Sequence, residues 1–279
     1  MGAEPAGEHA DRYAASAIPV LLYHSVDDSP DTGIARFASP AAEFGEHVEA
    51  IAACGRRAVS FRELGRLLAA GEAGGEPLVC VTFDDGWADN LAAARRLAEA
   101  GLPATFFVTS GFVGRPRMLD AAALRELASL GNVEIGAHTA THARLDELPP
   151  GAAAAEVAGG RDALEELAGV KVTTFAYPHG SYDAAVRRLV ADSGFTAAAA
   201  VKNALSHPGD DPFAVARLTV RRETSAAEIR RWLAGEGAPL AWAGERARTK
   251  AFRAVRRARA RLGRGPAAAA GALSRGDDA

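Results

Sequence analysis

The stretch "PLVCVTFDDG", residues 77–86, runs apolar for most of its length and ends in two adjacent carboxylates. An apolar run of this length without alternation reads as a strand buried on both faces, which is the strand type of a parallel sheet. Asp84 and Asp85 at its end are a problem. Like charges side by side repel, and burial makes each one costlier. Something nearby must neutralise them.

Outward from this strand, apolar runs alternate with helical patterns. "IPVLLYH" (18–24), "PATFFVT" (103–109), "VEIGAHT" (133–139), "VTTFAYP" (172–178), "FTAAAAV" (195–201) and "FAVARLTV" (213–220) read as strands. "SPAAEFGEHVEAIAACG" (39–55) starts on Ser, stops on Gly and spaces its apolar residues by three and four, so it reads as a helix. "VSFRELGRLLAAG" (59–71) reads as a short strand turning into a helix. Further helices are expected at 87–101, 119–131, 181–194 and 225–235, and within 150–169, where Gly159–Gly160 is a weak point. Strands alternating with helices of a dozen residues mean βαβ units. Seven or eight parallel strands in one α/β unit over residues 18–235 favour a closed or nearly closed (β/α) barrel over an open sheet.

The chain has 279 residues, 48% of them hydrophobic and 24% charged, and a net charge of −3, so no global field points to nucleic acid. Two cysteines, Cys54 and Cys80, read as small buried thiols rather than a disulfide framework. Residues 1–17 form an extension without a basic start followed by an apolar stretch, so the chain reads as cytoplasmic. Residues 236–279 form a basic, low-complexity tail containing "GERARTKAFRAVRRARARLGRG". Its simplest reading is a solvated face; its sharper reading is a weak contact with anionic membrane at the inner face.

In a barrel of this kind the C-terminal strand ends line the site. Asp84 and Asp85 stand at one such end, His138 and His142 of "HTATH" at a second, His24 at a third and His179 at a fourth. Two imidazoles and one carboxylate suit a single divalent ion, zinc first, with cobalt, nickel and manganese also compatible, and leave a position open for water. On this reading one aspartate binds the ion and the other stands beside it to take a proton from water.

TFDDG followed by HTATH resembles the NodB-homology polysaccharide deacetylases, carbohydrate esterase family four, over roughly residues 18–235. The resemblance implies a distorted (β/α) barrel that hydrolyses the acetamide of an N-acetylated sugar in a polysaccharide, an oligosaccharide, or a lipid- or nucleotide-linked form. It implies Asp84 as the general base and Asp85, His138 and His142 as metal ligands. The family's third motif, R-x-P-Y, is altered here in "FAYPHG": Pro178 and Gly180 align, Ala176 replaces the arginine and His179 the tyrosine. A backbone N–H in this stretch, Tyr177 to His179, is then the expected contributor to the oxyanion site, with Tyr177 a residue that can face the pocket. Arg217 or Arg221 is available to replace the arginine. No L-x-H motif stands near the end of the domain. "LYH" (22–24) ends the first strand instead, as in permuted members such as the poly-N-acetylglucosamine deacetylases, and makes His24 the general acid. Two other readings keep the same scaffold: hydrolysis of another amide or an O-acetyl ester, and a carbohydrate-binding barrel without activity. The latter predicts loss of a ligand or the base, and all four residues are present. Oligomeric state is not legible in the sequence. His9, His47 and His207 read as surface residues and Trp87 as core.

Overall fold

The structure, a computed structural model, describes residues 16–242. Most of the N-terminal extension, with His9, and nearly all of the basic tail with its membrane reading lie outside the described residues. In chain order the strands are β1 (Val20–Tyr23), β2 (Ser25–Val26), β3 (Ala38–Ser39), β4 (Arg57–Val59), β5 (Leu78–Asp85), β6 (Ala104–Val108), β7 (Val133–Ala137), β8 (Thr174–Ala176), β9 (Ala197–Ala199) and β10 (Leu218–Thr219). The helices are α1 (Ala41–Ala53), α2 (Phe61–Ala70), α3 (Asn90–Glu99), α4 (Ala121–Ser129), α5 (Pro150–Ala168), α6 (Ala184–Asp192) and α7 (Ala226–Leu233).

The main sheet is parallel throughout and runs β10-β1-β5-β6-β7-β8-β9. β4 pairs with Leu78–Cys80 of β5, low on the edge that β6 takes higher up at Thr82–Asp85. The curl nearly closes through residues 212–219. Val215 bridges Ala199 of β9, with the Ala200 N–H donating to the Val215 carbonyl at 2.8 Å, and Leu218–Thr219 then pair with β1. The result is the distorted (β/α) barrel expected, with one difference. The strand expected over 213–220 is a broken seam. The Ala216 N–H turns to the buried Asp210 carboxylate, 3.0 Å away, where the segment changes neighbours.

The periodicity that marks the helices is realised in caps and in one plug. Ser60 Oγ accepts from the Glu63 N–H at the start of α2, and Asp120 and Asp183 cap α4 and α6 in the same way. α2 closes the lower end of the barrel, with Phe61, Leu64 and Leu68 packed among Val20, Cys80, Phe107 and Ala199. Above the plug lies a polar layer in which Glu134 accepts from Thr105 Oγ1 at 2.9 Å and from Thr174 Oγ1 at 2.6 Å. The outer faces of the strands pack on the helices, as in the Tyr23, Phe83 and Phe106 stack. His47 and His207, expected at the surface, are buried instead. His47 lies between the Tyr23 hydroxyl and the Thr224 carbonyl, and His207 against the Ala241 carbonyl. Leu240 bridges Leu205, so packing on the barrel continues a few residues past 235. No helix among the described residues is long and apolar enough to cross a membrane.

Gly159 and Gly160 do not break α5, which runs on for 19 residues. The two glycines differ in surroundings. A Cβ on Gly160 would lie 2.7 Å from the Ala140 N and Thr139 C atoms, whereas one on Gly159 would meet nothing within 4 Å. Gly159→Ala should therefore raise stability by up to about 1 kcal/mol through better helix propensity. Gly160→Ala should lower it by about 1–3 kcal/mol, because backbone cannot move aside as a side chain can. Urea unfolding of the two variants checks this. Equal effects would show that α5 does not press on the 139–140 loop.

Candidate active site

The upper rim of the barrel brings together residues from three strand ends. Asp84 and Asp85 end β5, His138 follows β7, His142 follows it by one turn, and His179 follows β8. One donor atom each from Asp85, His138 and His142 lies within 4.8 Å of the others. His142 Nε2 is 3.2 Å and His138 Nε2 3.6 Å from Asp85 Oδ1. This Asp85 oxygen is buried and accepts no hydrogen bond, while the other oxygen accepts from Trp87 Nε1 at 3.2 Å. Trp87, expected in the core, is thus buried and also holds the carboxylate. His138 Nδ1 donates to the Ala176 carbonyl at 2.8 Å, which leaves Nε2 as the ring's lone-pair nitrogen. An orphaned carboxylate oxygen facing two imidazoles is the donor set of a borderline divalent ion, and these residues fit one.

Asp84 is held differently. Arg217 forks onto it, with NH1 2.7 Å from Oδ1 and NH2 2.8 Å from Oδ2. The guanidinium is fully buried, donates also to Thr82 Oγ1 and the Ala200 carbonyl, and lies over the Phe107 ring. Of the two arginines offered by the sequence, the structure selects Arg217. Burial pushes the Asp84 carboxyl up, but Arg217 and His138 outweigh it and hold it below the usual carboxylate range. The Asp85 carboxyl is also held below that range: burial opposes ionisation, and the neighbouring imidazoles of His142, His24 and His138 overcome it. Burial takes His138 down to about 4, so it is neutral at pH 7. His142 moves up, since Asp85 outweighs the effect of burial. His179 drops to about 3 through burial and its cationic neighbours.

The backbone here is strained. Asp85, Thr139, His142 and His179 have φ between 57° and 77° and are four of the six described non-glycine residues with positive φ. For the β-branched Thr139 this is a costly conformation that its surroundings must impose. They do so from two sides. Glu156 of α5 accepts from the Ala140 and Thr141 N–H groups and the Thr141 hydroxyl. The Ser110 and Gly111 N–H groups, just past β6, donate to the Thr139 and Ala140 carbonyls.

His24 sits one residue past β1 against Phe37, its Nδ1 buried without a partner. Its backbone is tied to the loop after TFDDG: Asn90 Nδ2 donates to the His24 carbonyl, and Asp89 accepts from Ser25 Oγ and the Val26 N–H. The third-motif residues divide. The His179 ring lies 4.5 Å from that of His142, and among the described residues nothing accepts its N–H. Pro178 is buried and has no N–H to offer. Tyr177 is corrected: it does not face the pocket. Strand alternation turns it outward into the core, where it stacks on Tyr182 and donates to the Phe213 carbonyl, and its N–H is spent on the Ala199 carbonyl. Asn90, Glu156 and the hydrogen bond of Trp87 carry no local signal that periodicity or spacing could have read.

Residues 71–198 match the family described as polysaccharide deacetylase. Among curated relatives, a putative polysaccharide deacetylase, YxkH of Bacillus subtilis, is 26% identical over 179 residues; the match covers 64% of this chain and only 62% of the relative. Among solved structures, IcaB from Ammonifex degensii is 28% identical with a TM-score of 0.69, over 78% of this chain and 97% of that one. The Streptococcus pyogenes deacetylase PplD, in complex with acetate, shares the fold with a TM-score of 0.69 at 21% identity, over 76% of this chain and 96% of that one.

Arg217→Met leaves Asp84 buried without its countercharge, which should cost about 3–5 kcal/mol at pH 7. Because the Asp84 pKa is depressed in the folded protein, the pair stabilises at pH above the ordinary carboxylate range. That contribution is lost as pH falls through this range toward the folded value. The stability gap between wild type and variant should therefore hold from pH 7 to about 5 and narrow below that, as pH falls through the carboxylate range, in urea titrations. A gap independent of pH would contradict the pairing.

Proposed function

We propose that this chain, a member of the polysaccharide deacetylase family through residues 71–198, is a metal-dependent hydrolase that removes the acetyl group from an N-acetylated sugar. One observation carries the reading. A three-residue donor set, Asp85, His138 and His142, stands beside a second carboxylate, Asp84, that takes no place in that set and is kept ionised by Arg217. Asp85, His138 and His142 would hold the ion, zinc being the best match to two imidazoles and a carboxylate. When bound, such an ion supplies Lewis acidity toward water and the acyl oxygen.

The remaining steps fall to the chain's own groups. Asp84 accepts the proton of the attacking water. Arg217 fixes the orientation of that carboxylate and keeps it deprotonated in the resting protein. The His179 N–H, turned by its left-handed backbone and without an acceptor of its own, is the donor for the oxygen on which negative charge develops. His24 gives a proton to the departing amine, which leaves poorly without one. Support for His24 is positional: it sits one residue past β1, which lies between β5 and β10, and its buried Nδ1 has no partner among the described residues.

Chelation should abolish acetate release from chitooligosaccharides, and zinc or cobalt should restore it. His142→Ala should lose metal in elemental analysis, whereas Asp84→Asn should keep metal and lose turnover. Release of the ion by Asp84→Asn would reverse the two aspartates. His24→Ala should bind metal normally and lose about 10²–10⁴-fold in amide hydrolysis, with a smaller loss on an ester that has a good leaving group. Near-normal amide turnover in this variant would take the acid role from His24.

A further inference from the structure

β10 and the residue pairs around it send polar side chains into the barrel at alternate positions. Leu218 and Val220 pack outward with Leu21 and Tyr23, so Arg217, Thr219 and Arg221 take the inner face. The ladders pair Leu22 with Thr219 on one side and with Thr82 on the other. The Val220 N–H donates to the Leu22 carbonyl at 2.8 Å, so the β1–β10 ladder reaches past its last residue pair. Both ladders end below His24; carried one pleat further, their register sets His24 level with Arg221 and with Asp84. By that extension Arg221, two residues past β10, stands at the height of the proposed base and acid.

Its neighbours in sequence and space are all occupied. Arg217 is spent on Asp84, Arg222 on the carbonyls of Asp27, Asp28 and Ala38, and Arg117 on Asp27 and Asp31. Arg221 is half-buried, and its Nε is buried without a partner. Among the described residues no carboxylate or carbonyl receives its guanidinium. On the same side, Arg36 is exposed over the ring of Phe37, which in turn meets the ring of His24. A guanidinium partly withdrawn from water and left unpaired is costly, and a planar oxyanion matches its fork.

We infer that Arg221 receives an oxyanion carried by the substrate, a phosphate or carboxylate on the acetamido sugar or on the residue next to it, with Arg36 adding charge at the outer edge. The inference rests on the deacetylase reading and narrows its substrate class to anionic N-acetylated sugars. The oxyanion takes no part in bond making. It orients the sugar so that its amide lies between Asp84 and His24.

The test compares zinc-loaded full-length protein on three substrates at low salt: N,N′-diacetylchitobiose (neutral), N-acetylglucosamine 1-phosphate, and N-acetylmuramic acid (carboxylate). Acetate release should favour at least one anionic substrate over the neutral one by about tenfold or more in kcat/KM, the scale of one charge-assisted hydrogen bond. Which anion leads separates phosphate from carboxylate. The preference should shrink with added salt and collapse to about twofold or less in Arg221→Gln, with part of it kept in Arg221→Lys. Arg66→Gln, at the plugged end of the barrel, should keep the wild-type ratio. A neutral substrate used as well as the anions, or a preference that survives Arg221→Gln, overturns the inference and leaves deacetylation standing. No acetate from any of the three overturns the deacetylase reading, and the inference with it.

Discussion

The site depends on a buried ion pair inside the barrel. Arg217 and Asp84 are both withdrawn from water, and an isolated charge of either sign there would be prohibitively costly. The pair is tolerable because the guanidinium is almost fully used: two bonds to the carboxylate, one to Thr82, one to the Ala200 carbonyl, and an aromatic face beneath it. These partners sit on β5, on β6 and just past β9, so the pair forms only when the sheet has curled. The broken seam at 212–219 serves the same end. By turning the Ala216 N–H to Asp210 it brings Arg217 to the inner face beside Ala200.

With Asp84 provided for, the adjacent Asp85 is free to do something else. Neighbouring residues on a strand point to opposite faces, and a regular strand would have sent one of the two carboxylates into the outer core. The left-handed turn at Asp85 prevents this and brings its carboxylate to the rim beside its neighbour's. One aspartate is then matched to an arginine and the other to a pair of imidazoles. The difference in partners, rather than in residue type, is what tells the two carboxylates apart.

Much of this was legible in the sequence because it is local. Unbroken apolar runs gave the strands, apolar spacing of three and four gave the helices, and TFDDG with HTATH gave the rim residues. What was not legible depends on neighbours distant in the chain. Arg217 and Arg221 look alike in "VARLTVRR", and only the register of β10 with β1 decides which one lies deep enough to reach Asp84. Tyr177 and His179 lie two residues apart, yet strand alternation buries the first and a left-handed turn brings the second to the metal residues. His47 and His207 read as surface positions because a lone histidine carries no period. Their burial follows from carbonyl acceptors at Thr224 and Ala241. Gly159–Gly160 looked like a break in a helix, whereas one of the two is the clearance that lets the helix grip the loop of His138 and His142.

Asp84 and Arg217 lie 133 residues apart in the chain. Contacts of such separation form late, because the intervening loop must be closed before the contact repays the entropy. β1 is the first of the described strands to be made, yet one of its two neighbours is β10, the last of them. Until that strand arrives, Asp84 is a buried-strand carboxylate without its counterion, and β1 has an open edge. The nascent protein thus carries Asp85, His138 and His142 well before Asp84 has its countercharge. The interval before β10 arrives is when a free strand edge is most exposed to the wrong partner.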